Sequence, residues 1–104
     1  MTEDTFRFTT TRSIDDWLDI SDDLLSKYRA RDTLMSERLA ISLSEEAKLM
    51  RIMQKSCRLI RTTRHGRDRL LYHYEMPGPT LTHLMLLDPK WIQHLKSITE
   101  FLLA

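Results

Sequence analysis

Two β-prone runs that flank His65-Gly66 set the strongest limit on the fold of this chain. The sequence reads RLIRTTRHGRDRLLYHYE over residues 58–75, and a glycine in a two-residue turn adopts positive φ without strain. If the runs pair, alternate side chains face opposite ways, with Leu70, Tyr72 and Tyr74 on one face and Arg67, Arg69 and His73 on the other. A hairpin here predicts an α+β fold. Continuation of the preceding helix stays open, because Arg and Leu are good helix formers.

Apolar residues at helical spacing predict a first helix over about 14–30, beginning after Ser13. Its apolar stripe has seven members: Ile14, Trp17, Leu18, Ser21, Leu24, Leu25 and Tyr28. Asp32 or Thr33 can cap a second, shorter helix that carries Leu39. The first half of the chain is therefore predicted to be helical.

A break in this helical pattern is predicted at 42–44, because Ser42 and Glu45 form a capping box. A third helix follows over about 45–58. Its apolar residues share one arc, and four basic residues occupy a roughly opposite arc: Lys48, Arg51, Lys55 and Arg58. The third helix thus has one face turned inward and one basic face.

The two ends of the chain carry weaker signals. Thr5–Thr11 alternates and predicts a short strand, with a disordered arm as the alternative. Met76-Pro77-Gly78-Pro79 ends the second β run and forms a stiff link. Asp88-Pro89 is an N-cap followed by proline at the first helical position, which predicts a C-terminal helix over 89–103.

Composition places this chain of 104 residues in one globular domain with a net charge of only +1. Its single cysteine, Cys57, excludes an internal disulfide. There is no signal peptide or membrane-length apolar run, which predicts a cytoplasmic, bacterial or phage protein. The sequence has no recognisable Ser-His-Asp triad and no Gly-rich phosphate loop, so it does not predict an enzyme. His83 and His94 are interpreted as ordinary histidines, so no metal or cofactor is predicted.

The order of elements and three segments resemble a winged helix-turn-helix. SERLAIS (36–42) resembles the second helix and turn, 44–61 the recognition helix, and TTRHGRDRLLYHY (62–74) the wing. The resemblance covers about residues 33–74 and is closest to bacterial regulators of the multiple-antibiotic-resistance and arsenical-repressor classes. It implies an α+β, mostly helical fold with a short β-hairpin wing and a C-terminal helix.

This resemblance divides the chain into an N-terminal arm or strand (1–12), a winged helix-turn-helix (13–76) and a C-terminal helical segment (77–104). It implies a small DNA-binding regulator that contacts duplex DNA through helix 45–58 and hairpin 58–75. The predicted DNA-contacting residues are Ser44, Glu45, Lys48, Arg51, Lys55, Arg64, Arg67 and Arg69.

Many such regulators are homodimers, and the apolar face of the C-terminal helix is broad. The predicted dimer interface contains Trp91, Leu95, Ile98 and Leu102. An equally good interpretation is that this helix closes the core of the monomer.

Two alternatives to the winged helix remain open. One is a protein-binding inhibitor, immunity or antitoxin-like protein that acts through the acidic helix 14–30. Its contact residues would be Asp15, Asp16, Asp19, Asp22 and Asp23. The other is a ribbon-helix-helix dimer that reads the DNA groove with Thr5–Thr11.

Overall fold

The computed structural model describes residues 5–31 and 33–104, and it has an α+β fold. The strands are β1 (Thr5–Thr10), β2 (Arg58–His65) and β3 (Arg69–Pro77). The helices are α1 (Ile14–Arg29), α2 (Leu34–Ser56), α3 (Gly78–Leu87) and α4 (Pro89–Leu103). The predicted class, α+β and mostly helical, is confirmed at this level.

The chain forms two compact units. One contains residues 5–13 together with Lys55–Ala104, and the other contains Ile14–Gln54. The first is built on the β-sheet with α3 and α4, and the second is a hairpin of α1 and α2. Within the predicted N-terminal arm, Thr5–Thr10 is a strand of the sheet, as the alternation of its residues predicts. Residues 1–4 lie outside the described part.

The three strands form an antiparallel sheet in the order β1-β3-β2. Phe8 pairs with Tyr74 across β1 and β3, and the two rings stack with centroids 5.3 Å apart. Phe6 extends the stack, its ring centroid 5.9 Å from that of Phe8. Such pairs contribute about 0.5–1.5 kcal/mol beyond the burial of area. The two non-local strands are therefore held together by side chains as well as by backbone hydrogen bonds.

Helices α3 and α4 pack on the sheet and close the core of this unit. The buried apolar residues are Phe8, Leu71, Tyr74, Met76, Leu84, Trp91, Ile92 and Leu95. α4 begins as predicted: the Asp88 carboxylate accepts a hydrogen bond from the backbone N–H of Lys90 at 3.1 Å, and Pro89 occupies the first turn. The predicted stiff link is shorter than expected, because α3 starts directly after Pro77.

One edge of the sheet is covered by a side chain of α4. The backbone N–H of Thr9 donates to Thr99 Oγ1 at 2.9 Å, and Thr99 in turn donates to the carbonyl of Leu95 at 2.8 Å. An uncovered edge strand is a template for aggregation, so this contact protects β1. β2 forms the other edge, and seven of its eight side chains are exposed.

Helices α1 and α2 form an antiparallel hairpin with small residues along its seam. Inward positions in α1 follow a four-three spacing at Ile14, Leu18, Ser21, Leu25 and Tyr28, and those in α2 do so at Ser36, Ala40, Leu43, Ala47 and Met50. Ser21 Oγ lies 4.0 Å from Met50 Sδ at the seam. Serine or alanine occupies four of these ten positions.

The predicted break at 42–44 is wrong, because α2 continues from Leu34 to Ser56. The capping-box pattern at Ser42 and Glu45 is outweighed by the seam, whose spacing runs through this segment without interruption. No glycine or proline stands there to stop the helix. Thr33 caps α2 instead: its Oγ1 accepts from the backbone N–H of Ser36 at 3.1 Å. Asp32, the other cap considered, lies outside the described residues.

α2 is long, at 23 residues, but charged side chains recur along it. Across residues 5–31 and 33–104, no helix combines the length and the apolar character that crossing a bilayer requires.

Candidate nucleic-acid interface

The β2–β3 hairpin is confirmed, and its turn is one residue longer than predicted. His65 pairs with Arg69, which leaves a three-residue turn over 66–68. Gly66 has φ of 75°, a conformation that side chains with a Cβ rarely adopt, and this is the role predicted for it. The predicted separation of faces is also found: Leu70, Tyr72 and Tyr74 alternate with Arg69 and His73, whereas Arg67 lies in the turn rather than on a face.

The end of this hairpin extends beyond the three-stranded part of the sheet. β1 pairs with β3 only as far as Thr10 and Tyr72, so residues 69–71 pair with 63–65 alone. We call residues 63–71 the hairpin tip. It carries three exposed arginines, Arg64, Arg67 and Arg69, and a single acid, Asp68. Within the described ranges none of the three has a carboxylate within ion-pair distance.

His73 lies on the face of the sheet opposite to Tyr72 and Tyr74, and this face is polar around it. We call it the His73 face. The two ring nitrogens of His73 contact hydroxyls on both neighbouring strands: Nδ1 lies 3.0 Å from Thr9 Oγ1 and Nε2 lies 2.8 Å from Thr63 Oγ1. Burial lowers the pKa of His73 below 6.5, and the charge of Arg61 lowers it further. His73 is therefore a neutral, hydrogen-bonded bridge across the sheet at pH 7.

Two further arginines on the His73 face were not among the predicted site residues. Arg61 lies directly opposite His73 across β2 and β3, and Arg7 lies opposite Glu75 across β1 and β3. The ion pair of Glu75 is instead with Arg58, at 3.1 Å. The alternation of β1 placed Arg7 away from the phenylalanines. Only the strand order, which is non-local, shows that it shares a face with Arg61.

The five predicted contact residues on the third helix have a different setting from the one expected. Ser44 and Glu45 lie in the middle of α2 rather than at a helix N-terminus, so their backbone N–H groups serve the helix itself. Arg51 forms an ion pair with Asp22 at 3.1 Å inside the helical unit. Ser44, Glu45 and Lys48 line a depression of about 250 Å³ in that unit, together with Arg29, Ala40 and Ile41. Lys55 is exposed near the end of α2.

The residues predicted for the dimer interface are largely used within the monomer. Trp91 and Leu95 are 8% and 0% exposed, so the alternative interpretation of α4 as the closure of the monomer core applies to them. Ile98 and Leu102 are half-buried. The apolar side chains that do face solvent from this segment include Leu86 and Phe101, each 82% exposed.

The acidic residues of α1 are divided between internal contacts and the surface. Asp15 accepts a hydrogen bond from Gln54 Nε2 at 2.6 Å, and Asp22 holds Arg51. Asp19 and Asp23 are exposed and have no ion pair in the part of the chain that is described. At least two of the five acids thus stabilise the helical hairpin.

Cys57, the residue that links α2 to β2 along the chain, is half-buried, and burial raises the pKa of its thiol to about 12, although a hydrogen bond with Ser56 lowers it. Because each pKa unit changes the thiolate fraction tenfold, its thiolate population at pH 8 is about a thousand-fold below that of an ordinary thiol of pKa 9.0. Alkylation by iodoacetamide at pH 8, followed by mass spectrometry, should therefore be slower by a comparable factor in the folded chain than in urea. Equal rates in both conditions would contradict this.

No family model matches the chain, and comparisons with curated proteins and with solved structures find no match either. Among the described residues, no group of three His, Cys, Asp or Glu side chains is placed to hold a metal ion. The case for a function therefore rests on the geometry of the chain itself.

Proposed function

We propose that the chain is a small DNA-binding protein that contacts duplex DNA through the hairpin tip. The observation that carries this proposal is the two-stranded extension of the sheet, which presents Arg64, Arg67 and Arg69 to solvent beside only one acid. A two-stranded β-ribbon fits the major groove of B-form DNA. Arginine side chains at its end are suited to bidentate contacts with phosphate or with guanine.

The proposal draws on the wing of the winged-helix resemblance and not on its recognition helix. Because Ser44 and Glu45 lie inside a continuous α2, they do not offer the exposed helix N-terminus that reads base edges in that fold. A regulatory role in transcription would follow from sequence-specific binding. Specific binding in turn requires base contacts from the tip in addition to phosphate contacts.

We extend the proposal to a homodimer, in which a second copy would bring a second hairpin to the duplex. It starts from the exposure of Leu86 and Phe101, and it requires that these side chains form one contiguous apolar patch, the surface feature that marks association sites. These residues replace Trp91 and Leu95 as the candidates for contact between copies.

The test is binding to random-sequence duplex DNA at several salt concentrations, with the double variant Arg67→Ala/Arg69→Ala beside the unaltered chain. Each phosphate contact that is lost lowers the salt slope by about 1, so the double variant should lose up to about 2. Its affinity at low salt should fall by about tenfold or more. Arg67→Lys/Arg69→Lys keeps both charges, so it should keep the salt slope but lose the part of the affinity that comes from bidentate contacts.

The matched control is Arg29→Ala/Arg38→Ala, which removes the same charge from the helical unit and should leave the salt slope unchanged. If both double variants lost the same DNA affinity, net charge alone would explain the effect, and this would contradict a site at the tip. No binding at low salt would end the DNA proposal. The competing proposal, a protein partner of α1, would then rest on Asp19 and Asp23.

A further inference from the structure

The two edges of the sheet differ in what covers them. At the β1 edge, Thr99 of α4 accepts the hydrogen bond of the Thr9 backbone N–H. At the other edge β2 pairs with β3, and within residues 5–31 and 33–104 no other strand lies beside it. Seven of its eight residues are exposed. Half of the N–H and C=O groups of an edge strand point away from its sheet, so β2 presents a row of donors and acceptors to solvent.

The regular part of this edge covers residues 61–65. Ile60 is the extra residue of an irregularity between Leu59 and Arg61, which interrupts the row of backbone groups. From Arg61 to His65 the register with β3 runs without a shift. This segment is close to the usual strand length of about five or six residues, so it can accept another strand of ordinary length. We call the outward side of residues 61–65 the β2 edge.

Two arginines lie along the β2 edge on opposite faces of the sheet. Arg61 lies opposite His73, whereas Arg64 lies opposite Leu70 and therefore shares the face of Tyr72. Both arginines are exposed, and neither has a carboxylate within ion-pair distance in the described part of the chain. Side chains directly opposite each other on paired strands interact. A strand added at this edge would thus meet one uncompensated cation on each face, three positions apart.

The charges of the described strands argue against a second copy of the chain as the added strand. β1 contains no aspartate or glutamate, and the acid of β3, Glu75, already pairs with Arg58. Pairing of β2 with the β2 of another copy would bring Arg61 and Arg64 from each copy to one short edge, and like charges that face each other are destabilising. The occupant that satisfies both arginines is therefore an acidic segment of a different protein.

We propose that the β2 edge binds an extended acidic segment of another protein, which adds a fourth strand to the sheet. Backbone hydrogen bonds supply affinity in this mode of recognition, and side chains supply specificity. The segment carries two carboxylates three positions apart, one opposite Arg61 and one opposite Arg64, where guanidinium and carboxylate groups form paired hydrogen bonds. A DNA strand is a poorer occupant, because its sugar–phosphate backbone has no donor for the outward carbonyl groups of β2. Binding of this segment does not depend on DNA binding at the hairpin tip, although both surfaces include Arg64.

The probe is the acetylated and amidated peptide Ser-Thr-Glu-Val-Thr-Glu-Thr-Ser, whose two glutamates are three positions apart. Titrated into the isotope-labelled full chain and followed by NMR, it should shift the amide signals of residues 61–65 most strongly and slow their hydrogen exchange. The isomer Ser-Thr-Glu-Val-Glu-Thr-Thr-Ser places both carboxylates on one face, so it reaches only one arginine. It should bind about two- to fivefold more weakly, which is the usual contribution of one cross-strand pair.

Addition of a strand has a signature that electrostatic attraction alone lacks. Only every second residue of an added strand donates its N–H to the neighbour on a given side. N-methylation of one alternate set of peptide residues should therefore reduce the affinity at least about tenfold, whereas methylation of the other set should leave it within about threefold. Equal effects of the two sets would overturn the proposal, because the peptide would then bind through its charge only.

Reversal of both charges tests the location of the site. Arg61→Glu/Arg64→Glu should weaken binding of the peptide at least about tenfold, and a peptide with lysine in place of both glutamates should regain affinity for this variant. The matched control is Arg29→Glu/Arg38→Glu, which changes the net charge equally in the helical unit and should leave the affinity unchanged. All four side chains are exposed, so both variants should unfold at about the same temperature as the unaltered chain.

Equal losses of affinity in the two double variants, or no binding of the peptide to the unaltered chain at millimolar concentration, would overturn the proposal. If the peptide did not bind and Arg61→Glu/Arg64→Glu instead lost affinity for random-sequence duplex DNA, the two arginines would belong to the nucleic-acid interface. Arg67→Ala/Arg69→Ala keeps the β2 edge intact, so it should bind the peptide with unchanged affinity whatever its effect on DNA binding.

Discussion

Replacing Glu45 by proline should destabilise the chain by about 3 kcal/mol or more. Glu45 is exposed in the interior of α2, so the loss would come from the backbone and not from a side-chain contact. Proline there removes one hydrogen bond of the helix, and its ring clashes with the carbonyl four residues earlier. A helix that began at Glu45 would instead tolerate proline at its first position. The substitution therefore distinguishes a continuous α2 from the helix-turn-helix predicted by the capping box.

The free energy of unfolding in urea measures this difference, with Glu45→Ala as the matched control. Alanine removes the same side chain but keeps the backbone N–H, so its effect should stay within about 0.5 kcal/mol. If proline cost no more free energy of unfolding than alanine, the result would contradict a continuous α2 and support a helix break near Ser44. If the proline variant lost helical circular dichroism without urea while its free energy of unfolding stayed close to that of the unaltered chain, the result would indicate fraying of α2 alone.

Replacing Phe8 by alanine should cost about 3–5 kcal/mol of unfolding free energy. Phe8 is 1% exposed, stacks on Tyr74 and Phe6, and lies on the strand that joins α4 to the sheet. Removal of its ring leaves a cavity that the surrounding side chains fill only in part. Because the whole stability of a domain is about 5–15 kcal/mol, this loss is large enough to unfold a substantial fraction of the chain.

Phe101→Ala is the matched control, since that ring is 82% exposed and its removal should change stability by about 0.5 kcal/mol or less. Urea unfolding of both variants, followed by tryptophan fluorescence, gives the comparison. If Phe8→Ala lost less than about 1 kcal/mol of unfolding free energy, β1 would not be integral to the sheet. That result would support the alternative interpretation of this segment as a disordered arm.

Local signals in the sequence predicted the elements whose ends are set by single residues. Gly66 marks the hairpin because a turn with positive φ has few other solutions, and Asp88-Pro89 marks the start of α4 because both residues act within one turn. The error at 42–44 has the opposite cause. A capping box is worth about as much as one good contact, whereas the seam of the helical hairpin sums many.

The shared face of Arg7 and Arg61 could not be found from the sequence. Arg7 and Arg61 are 54 positions apart along the chain, and they share a face only because β3 lies between β1 and β2. Similarly, periodicity identified the apolar face of α4 but not what covers it. Trp91 and Leu95 therefore entered the predicted dimer interface, although the monomer buries both.

The position of β1 in the sheet imposes an order of events during synthesis of the chain. Thr9 leaves the ribosome 64 residues before His73, its partner on β3, and 90 residues before Thr99, which covers its edge. At roughly 5–20 residues per second, β1 waits about 3–13 s for β3. During that interval a strand with two phenylalanines is unpaired on both sides. The nascent chain is thus exposed to misassociation at β1 until β3 is made, and the edge of β1 stays open until Thr99 of α4 covers it.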